Sequence, residues 1–194
     1  YQEGGIMDAD GHIREKEERT FSAADRIVAE VKNRTQAAGK IILFGHSAGG
    51  QFVHRWALLG GKKNVDVIAV ANSGWFTMPD RDIDYPYGIK NVGITDEELG
   101  EAFAKPVILF MGEKDVERKP PFRDTPEADA QGMNRMERCM NYFRQCKAKA
   151  EELRVPFRWK LEIVEGTAHQ GVKMAEGAAA YIFGKSSEDG NRRV

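Results

Sequence analysis

A serine between glycines carries the clearest chemical signal in the sequence. Ser47 is the centre of a G-x-S-x-G pattern within GHSAGG, residues 45–50. The apolar run 41–44 before it predicts a buried strand, and the residues after it predict a helix. Glycines two positions either side let strand and helix cross closely, so the serine hydroxyl is exposed on a sharp turn. We therefore expect a nucleophilic serine, with the amide of Ala48 at the helix start directed at negative charge that develops on a substrate oxygen.

A serine nucleophile needs a base, and the sequence contains four histidines. His12 lies in the leading segment, upstream of the serine. His46 is next to Ser47 but leaves the turn in another direction, and His54 lies two turns down the following helix. His169 instead follows the last predicted strand, just before the last helix. We therefore expect His169 to be the base.

The acid that orients this histidine is expected at the same edge of the sheet. Asp115 follows the apolar strand predicted at 106–111. Catalytic groups collect where the carboxyl ends of parallel strands meet, which favours Asp115. Glu113 and Glu117 are its competitors.

The elements that must position these residues alternate along the chain. The alternation predicts one α/β domain over residues 1–194, with a predominantly parallel sheet and helices on both faces. Capping boxes are predicted at Ser22 with Asp25 and at Thr95 with Glu98. The helices are expected over 22–39, 48–59, a short stretch from 95, 127–154 and 170–183, and the strands over 41–44, 65–71, 106–111 and 158–164.

The stretch 72–105 leaves the second strand at the expected active edge and predicts a small cap or pocket wall. Packing of this stretch onto the core would explain its aromatic residues as well as a pocket does. Trp56, on the helix after the serine, is assigned to the core. The candidates for lining a substrate pocket are His46, Trp75, Phe76, Tyr85 and Tyr87.

Residues 1–20 are polar and glycine-rich, which predicts a leading loop with a flexible Gly4–Gly5 pair. Asp8 and the residues after it resemble the start of a calcium loop. Ile13 and Arg19 stand where such a loop needs glycine and glutamate, so we expect no metal.

Composition narrows the function classes. Lys+Arg 29 against Asp+Glu 30 gives a net charge of −1, which argues against a nucleic-acid binder. No apolar run is long enough for a membrane span, and residues 1–20 do not resemble a signal peptide. Cys139 and Cys146 are too far apart on a predicted helix for a disulfide. These features predict a soluble protein, and cytoplasm and secretion are both compatible with them.

The chain order Ser47, Asp115, His169, each after a parallel strand, resembles the α/β-hydrolase fold superfamily. The resemblance covers about residues 20–184, and within the superfamily the chain is similar to bacterial esterases and lipases, including polyhydroxyalkanoate depolymerase-like hydrolases. It implies that Ser47 is the acyl nucleophile, His169 the general base and then acid, Asp115 the orienter, and Ala48 one oxyanion donor. The implied activity is cleavage of small-molecule or polymeric carboxylic esters through an acyl-enzyme, without cofactor or metal.

Two alternatives stay open: a serine peptidase or amidase with the same triad, and a non-catalytic hydrolase-fold binding protein. The superfamily sheet normally has about eight strands, whereas the sequence predicts four. We therefore expect the carboxyl-terminal portion of the fold. The other strands and the second oxyanion donor would lie upstream of Tyr1, or another chain would cover the sheet edge. An amide of Gly4 or Gly5 is the remaining candidate for that donor.

Overall fold

The computed structural model describes residues 1–35, 39–60 and 65–184. In these ranges four parallel strands pair in the order β1-β2-β3-β4 and alternate with helices, which confirms the predicted fold class. A short 3₁₀ turn at Lys16–Glu18 precedes the first helix. The elements are α1 Phe21–Thr35, β1 Ile42–His46, α2 Ala48–Leu59, β2 Val67–Ala71, α3 Asp96–Phe103, β3 Val107–Gly112, α4 Pro126–Asp129, α5 Arg135–Glu152, β4 Lys160–Val164 and α6 Gly171–Gly184.

The sheet separates two apolar layers, because successive side chains of a strand point to opposite faces. On one face, strand residues such as Val70 and Leu109 pack beneath α2, α3 and α5. On the other face, Ala71 and Phe110 pack against Met174 of α6. Helices therefore cover both faces, and the carboxyl ends of all four strands meet at one edge.

The helix predicted over 127–154 is divided into α4 and α5. Gly132 lies between them with φ 149°, and a Cβ at this position would be 2.7 Å from the Cβ of Glu137. Asn134 then caps α5, since its side chain accepts a hydrogen bond from the amide of Glu137 at 2.9 Å. Helical spacing of the apolar residues hid this break, although the glycine and the Asn-x-x-Glu spacing both signal a helix start.

Of the two predicted capping boxes, the one at Thr95 and Glu98 is present, whereas the one at Ser22 is wrong. The helix begins at Phe21, one residue before Ser22. Asp25 instead accepts a hydrogen bond of 3.0 Å from the indole of Trp56, whose side chain is fully buried. This bond attaches α1 to α2. The predicted end of this helix includes residues 36–38, which lie outside the described residues.

The leading segment packs against the domain. The carbonyl of Gly4 accepts a hydrogen bond from the amide of Thr20 at 2.9 Å, and the carbonyl of Gln2 accepts one from Arg55 at 3.2 Å. Gly4 is buried with φ 70°, and a Cβ there would lie 2.2 Å from the ring of Phe21. The glycine is therefore required by close packing as well as by backbone conformation.

The described helices include none with the length and apolar character needed to cross a membrane. Cys139 and Cys146 are both buried on α5 as free thiols.

The two glycines that flank the serine differ in their surroundings, and we expect them to respond differently to alanine. A Cβ on Gly45 would lie 2.4 Å from the carbonyl oxygen of Gly49, whereas a Cβ on Gly49 has no atom within 4 Å. Gly45→Ala should lower the free energy of unfolding by about 1–3 kcal/mol through overpacking. Gly49→Ala, inside α2, should raise it by about 0.5–1 kcal/mol. Urea unfolding followed by circular dichroism measures both, and equal effects would contradict this account.

Candidate active site

Ser47 lies on the turn between β1 and α2 in an unusual backbone conformation, with φ 54° and ψ −115°. Its amide donates to the carbonyl of Ala71 at 2.9 Å, and its carbonyl accepts from the amide of Gln51 at 2.9 Å. Gly50 allows the close approach, since a Cβ there would lie 2.8 Å from the same Ala71 oxygen. These contacts hold a strained residue at the carboxyl edge of the sheet.

Three side chains form a continuous hydrogen-bonded chain at this edge. Ser47 Oγ lies 2.9 Å from His169 Nε2, and His169 Nδ1 lies 2.7 Å from Asp115 Oδ2. An ionised carboxylate only accepts hydrogen bonds, so Nδ1 donates to Asp115 and Nε2 accepts from the serine hydroxyl. The three residues expected from the sequence are therefore brought together, in the tautomer that leaves Nε2 free to take a proton.

The loops that carry these side chains are attached to one another through Asn72, which follows β2. Its buried amide group donates to the carbonyl of Ala168 at 3.1 Å and accepts from the amide of Gly112 at 2.8 Å. The amide of Lys114 also donates to the carbonyl of Thr167 at 2.8 Å. The loop after β3, with Asp115, and the loop after β4, with His169, are thus held in fixed relation.

The second oxygen of Asp115 has its own partner. Arg135 Nη1 donates to Asp115 Oδ1 at 3.1 Å, and the side chains are only 5% and 3% exposed. Arg135 Nη2 also donates to the carbonyl of Pro121 at 2.7 Å. The carboxylate is therefore fixed on one side by a guanidinium, with its other oxygen directed at His169.

The two competing carboxylates have other partners. Glu113 accepts a hydrogen bond from the amide of Gly166 at 2.8 Å. Glu117 forms an exposed ion pair with Lys119 at 2.8 Å. Both lie in the loop after β3, but Asp115 is the one bonded to His169.

Two other histidines near the serine are held neutral. The ring of His46 lies 4.7 Å from the ring of His169, and burial, followed by the nearby His169, lowers the pKa of His46. His54 is fully buried, donates from Nδ1 to the carbonyl of Gly50 at 3.1 Å, and accepts at Nε2 from the amide of Thr77 at 3.2 Å. Burial holds the pKa of His54 well below its usual range. Both rings therefore serve packing.

A cavity of about 280 Å³ opens beside the serine. The amide groups in the first turn of α2 have no intrahelical acceptors, so the end of the helix that includes Ala48 is positive toward this space. The residues that line the cavity are Gln2, Ser47, Ala48, Gln51, Gly74, Trp75, Pro121, Phe122, Arg123 and Arg135.

Of the pocket residues expected from the sequence, Trp75 lines the cavity and the others do not. Phe76 is fully buried in the core and stacks on Tyr142 with ring centroids 4.5 Å apart. Tyr85 is also a core residue, its hydroxyl donates to the carbonyl of Glu3, and burial raises the pKa of Tyr85 to about 12. These two expectations are wrong because the stretch folds onto the core and buries both rings there.

Tyr87 and His46 stand close to the cavity without lining it. The ring of Tyr87 lies behind Trp75 with centroids 4.7 Å apart, and its hydroxyl lies 2.7 Å from Thr125 Oγ1. His46 packs on His169 instead. Both therefore support residues of the site.

Several cavity residues were missed by sequence reasoning. Gln51 stands four residues after Ser47, so helical spacing alone could have placed it on the same side of α2. Phe122 and Arg123 belong to the loop after β3, where the carboxylates are the only residues with a local sequence signal. Arg135 begins α5, a start hidden by the assumed continuous helix.

The amide of Gly4, one of the two candidates for a second oxyanion donor, and the loop at Asp8 both form local hydrogen bonds. The amide of Gly4 donates to the carbonyl of Tyr1 at 2.8 Å. Within the described ranges, one group of three side chains of metal-ligating type has ligand atoms within 4.8 Å of one another. It consists of Asp8, Asp10 and His12. Asp8 Oδ1 accepts hydrogen bonds of 2.9 Å from the amides of both Asp10 and His12. These bonds account for the arrangement of the loop.

The chain was compared with family models, curated proteins and solved structures, and similarity is found to solved structures. No family model and no curated protein matches the chain. Among solved structures, poly(aspartic acid) hydrolase-1 from Sphingomonas sp. KT-1 is 33% identical with a TM-score of 0.87, and the match covers 94% of this chain and 70% of that one. LpqC, a poly(3-hydroxybutyrate) depolymerase from Bordetella parapertussis, is 31% identical with a TM-score of 0.86, covering 95% and 63%.

This chain thus spans about two thirds of the length of each neighbour, and the neighbours are by name a hydrolase and a depolymerase. The similarity extends over nearly all of this chain at TM-scores of 0.87 and 0.86, and the chain has the four-stranded parallel sheet described above. The chain belongs to the α/β-hydrolase fold superfamily.

Proposed function

We propose that the protein is a serine hydrolase that cleaves carboxylic esters through an acyl-enzyme intermediate. The observation that carries the proposal is the chain of two hydrogen bonds, 2.9 Å and 2.7 Å, from Ser47 through His169 to Asp115. Its setting beside an open cavity, with similarity to two hydrolases of polymers, supports the same conclusion.

In the first half of the reaction, Ser47 Oγ attacks the substrate carbonyl carbon while its proton passes to His169 Nε2. The imidazolium that forms keeps its Nδ1 proton bonded to Asp115, which stabilises the positive charge. The oxyanion of the tetrahedral intermediate lies toward the amide of Ala48 and the positive end of α2. The intermediate collapses as His169 gives the proton to the departing alkoxide, leaving Ser47 acylated.

In the second half, water replaces the alcohol. His169 Nε2 takes a proton from water as the water oxygen attacks the acyl carbonyl carbon. The second tetrahedral intermediate then collapses: its bond to Ser47 Oγ breaks, His169 returns the proton to that oxygen, and the carboxylic acid leaves. Arg135 holds Asp115 through its other oxygen throughout both halves. Its role is to keep the carboxylate aligned with His169 Nδ1.

Amide hydrolysis is the second candidate function, and the likeness to poly(aspartic acid) hydrolase favours it. The polymer in that name is linked by amide bonds. The same triad cleaves amides when His169 protonates the departing nitrogen. The name of the other neighbour, a poly(3-hydroxybutyrate) depolymerase, supports ester cleavage.

A fluorophosphonate probe tests the nucleophile and the non-catalytic alternative together. We expect labelling of the intact protein at Ser47 and its complete loss in Ser47→Ala. Ser73 provides the control, because it follows β2 at the same edge but is fully buried, so Ser73→Ala should retain labelling. Absence of labelling in the unmodified protein would favour a binding protein.

Matched substrates separate esters from amides. We expect a 4-nitrophenyl ester to be cleaved with higher kcat/KM than the anilide of the same acid, because the phenolate is the better leaving group and the proposed enzyme is an esterase. Comparison of aliphatic esters and amides with equal leaving-group size then removes the contribution of the phenolate leaving group. A preference for the aliphatic amide would replace the first function by the second.

Replacement of the proposed base should separate catalysis from folding. His169 is 27% exposed on a loop, so His169→Ala should lower kcat by several orders of magnitude while the melting temperature changes little. His54→Ala is the contrast, since this ring is fully buried with two hydrogen bonds and its loss should clearly lower the melting temperature. A large fall in the melting temperature of His169→Ala would indicate a structural histidine instead.

A further inference from the structure

The walls of the cavity beside Ser47 carry cationic side chains without acidic ones. Arg123 and Arg135 both line it, and no Asp or Glu of the described chain does. The charge of Arg135 is balanced by Asp115 at 3.1 Å. Arg123 is therefore the cation whose charge remains for a ligand.

Arg123 is held in place at the cavity by contacts that leave its charge unbalanced. Its Nε donates to the hydroxyl of Tyr87 at 2.8 Å, and its guanidinium lies 5.1 Å from the Trp75 ring and 5.6 Å from the Tyr87 ring. These contacts fix the plane of the guanidinium without neutralising it. Within the described part of the chain its two Nη groups bond to no acceptor, and it forms no ion pair. It is thus a positioned guanidinium with two free nitrogen donors.

A second arginine raises the positive potential from behind the wall. Arg55 is fully buried with its guanidinium 4.2 Å from the Trp75 ring. Its hydrogen bonds go to neutral oxygens of Gln2, Gln51 and Thr77. No carboxylate of the described residues forms an ion pair with it, and its Nη2 is buried without a partner. The charge of Glu3 acts on Arg55 without forming an ion pair with it, so part of the cost of burying this cation remains, and an anion in the adjacent cavity would offset some of it.

We infer that the substrate carries a free carboxylate close to its scissile carbonyl, and that Arg123 binds this carboxylate. The inference rests on the proposed function and adds a substrate class to it. A planar guanidinium with free Nη groups binds a carboxylate by donating two parallel hydrogen bonds to its oxygens. Since Ser47 and Arg123 line one cavity of about 280 Å³, only a short chain separates the carbonyl from the carboxylate. Half-esters of short dicarboxylic acids have this chemistry.

A pair of esters that differ only in charge tests the inference. The probes are the 4-nitrophenyl half-ester of glutaric acid and the mixed diester in which its free carboxylate is methylated. We expect the protein to prefer the half-ester by kcat/KM. In Arg123→Gln the ratio of the two kcat/KM values should fall by about 10-fold to 100-fold, as for loss of a charged hydrogen bond. Arg123→Lys keeps the charge without the planar fork, so its ratio of the two kcat/KM values should lie between that of the unmodified protein and that of Arg123→Gln.

Arg144→Gln is the matched control for net charge. Arg144 is exposed on α5 about 13 Å further along the helix than Arg135, and its replacement should leave the ratio unchanged. If both esters are cleaved but Arg123→Gln keeps the original ratio, the inference is overturned and the proposed function stands. If the unmodified protein cleaves neither ester, the proposed function fails and this inference fails with it.

Discussion

The geometry of the site depends on two hydrogen bonds of the buried side-chain amide of Asn72. Asn72 follows β2, and its single side chain bonds both to the last residue of β3, Gly112, and to the carbonyl next to His169. The residue itself is held by a backbone bond of 3.0 Å from its amide to Phe110. Asp115 and His169 therefore share one anchor, so the 2.7 Å bond between them needs no adjustment of either loop. Loss of the anchor would remove the acceptor of the Gly112 amide, while the Ala168 carbonyl would keep its bond of 2.8 Å from the amide of Gln170.

In the proposed reaction only one imidazole of the site, that of His169, gains a proton, and the surrounding charges favour this. The His46 and His169 rings are in contact, and two adjacent imidazolium ions would repel each other. Burial and His169 itself lower the pKa of His46, which keeps His46 neutral. His169 faces Asp115 across 2.7 Å, so the positive charge is most stable there. Arg135 holds the other oxygen of the same carboxylate, which keeps Asp115 in place against His169.

The three residues of the proposed triad could be found from sequence because each signal is local. Ser47 and Asp115 follow continuous apolar runs, and His169 stands between the last strand and the last helix. Parallel pairing then brings the strand ends together without further information. The place of Arg123 in the cavity wall could not be found in this way. It depends on how the loop after β3 packs on Trp75 and Tyr87. The same limit explains why Phe76 was wrongly expected in the pocket, since the sequence of residues 72–105 does not show which aromatic rings turn into the core.

Trp75 connects the core to the cavity. One guanidinium, that of Arg55, lies 4.2 Å from its ring and is fully buried, while another, that of Arg123, lies 5.1 Å away and is exposed. The electron-rich face of an indole attracts cations but cannot cancel their charge. The folded protein therefore retains two positive charges around one side chain next to Ser47. Because Arg55 is buried, water screens its charge less, and its field extends into the cavity more strongly than it would in water. The net charge of −1 for the whole chain conceals this concentration of positive charge.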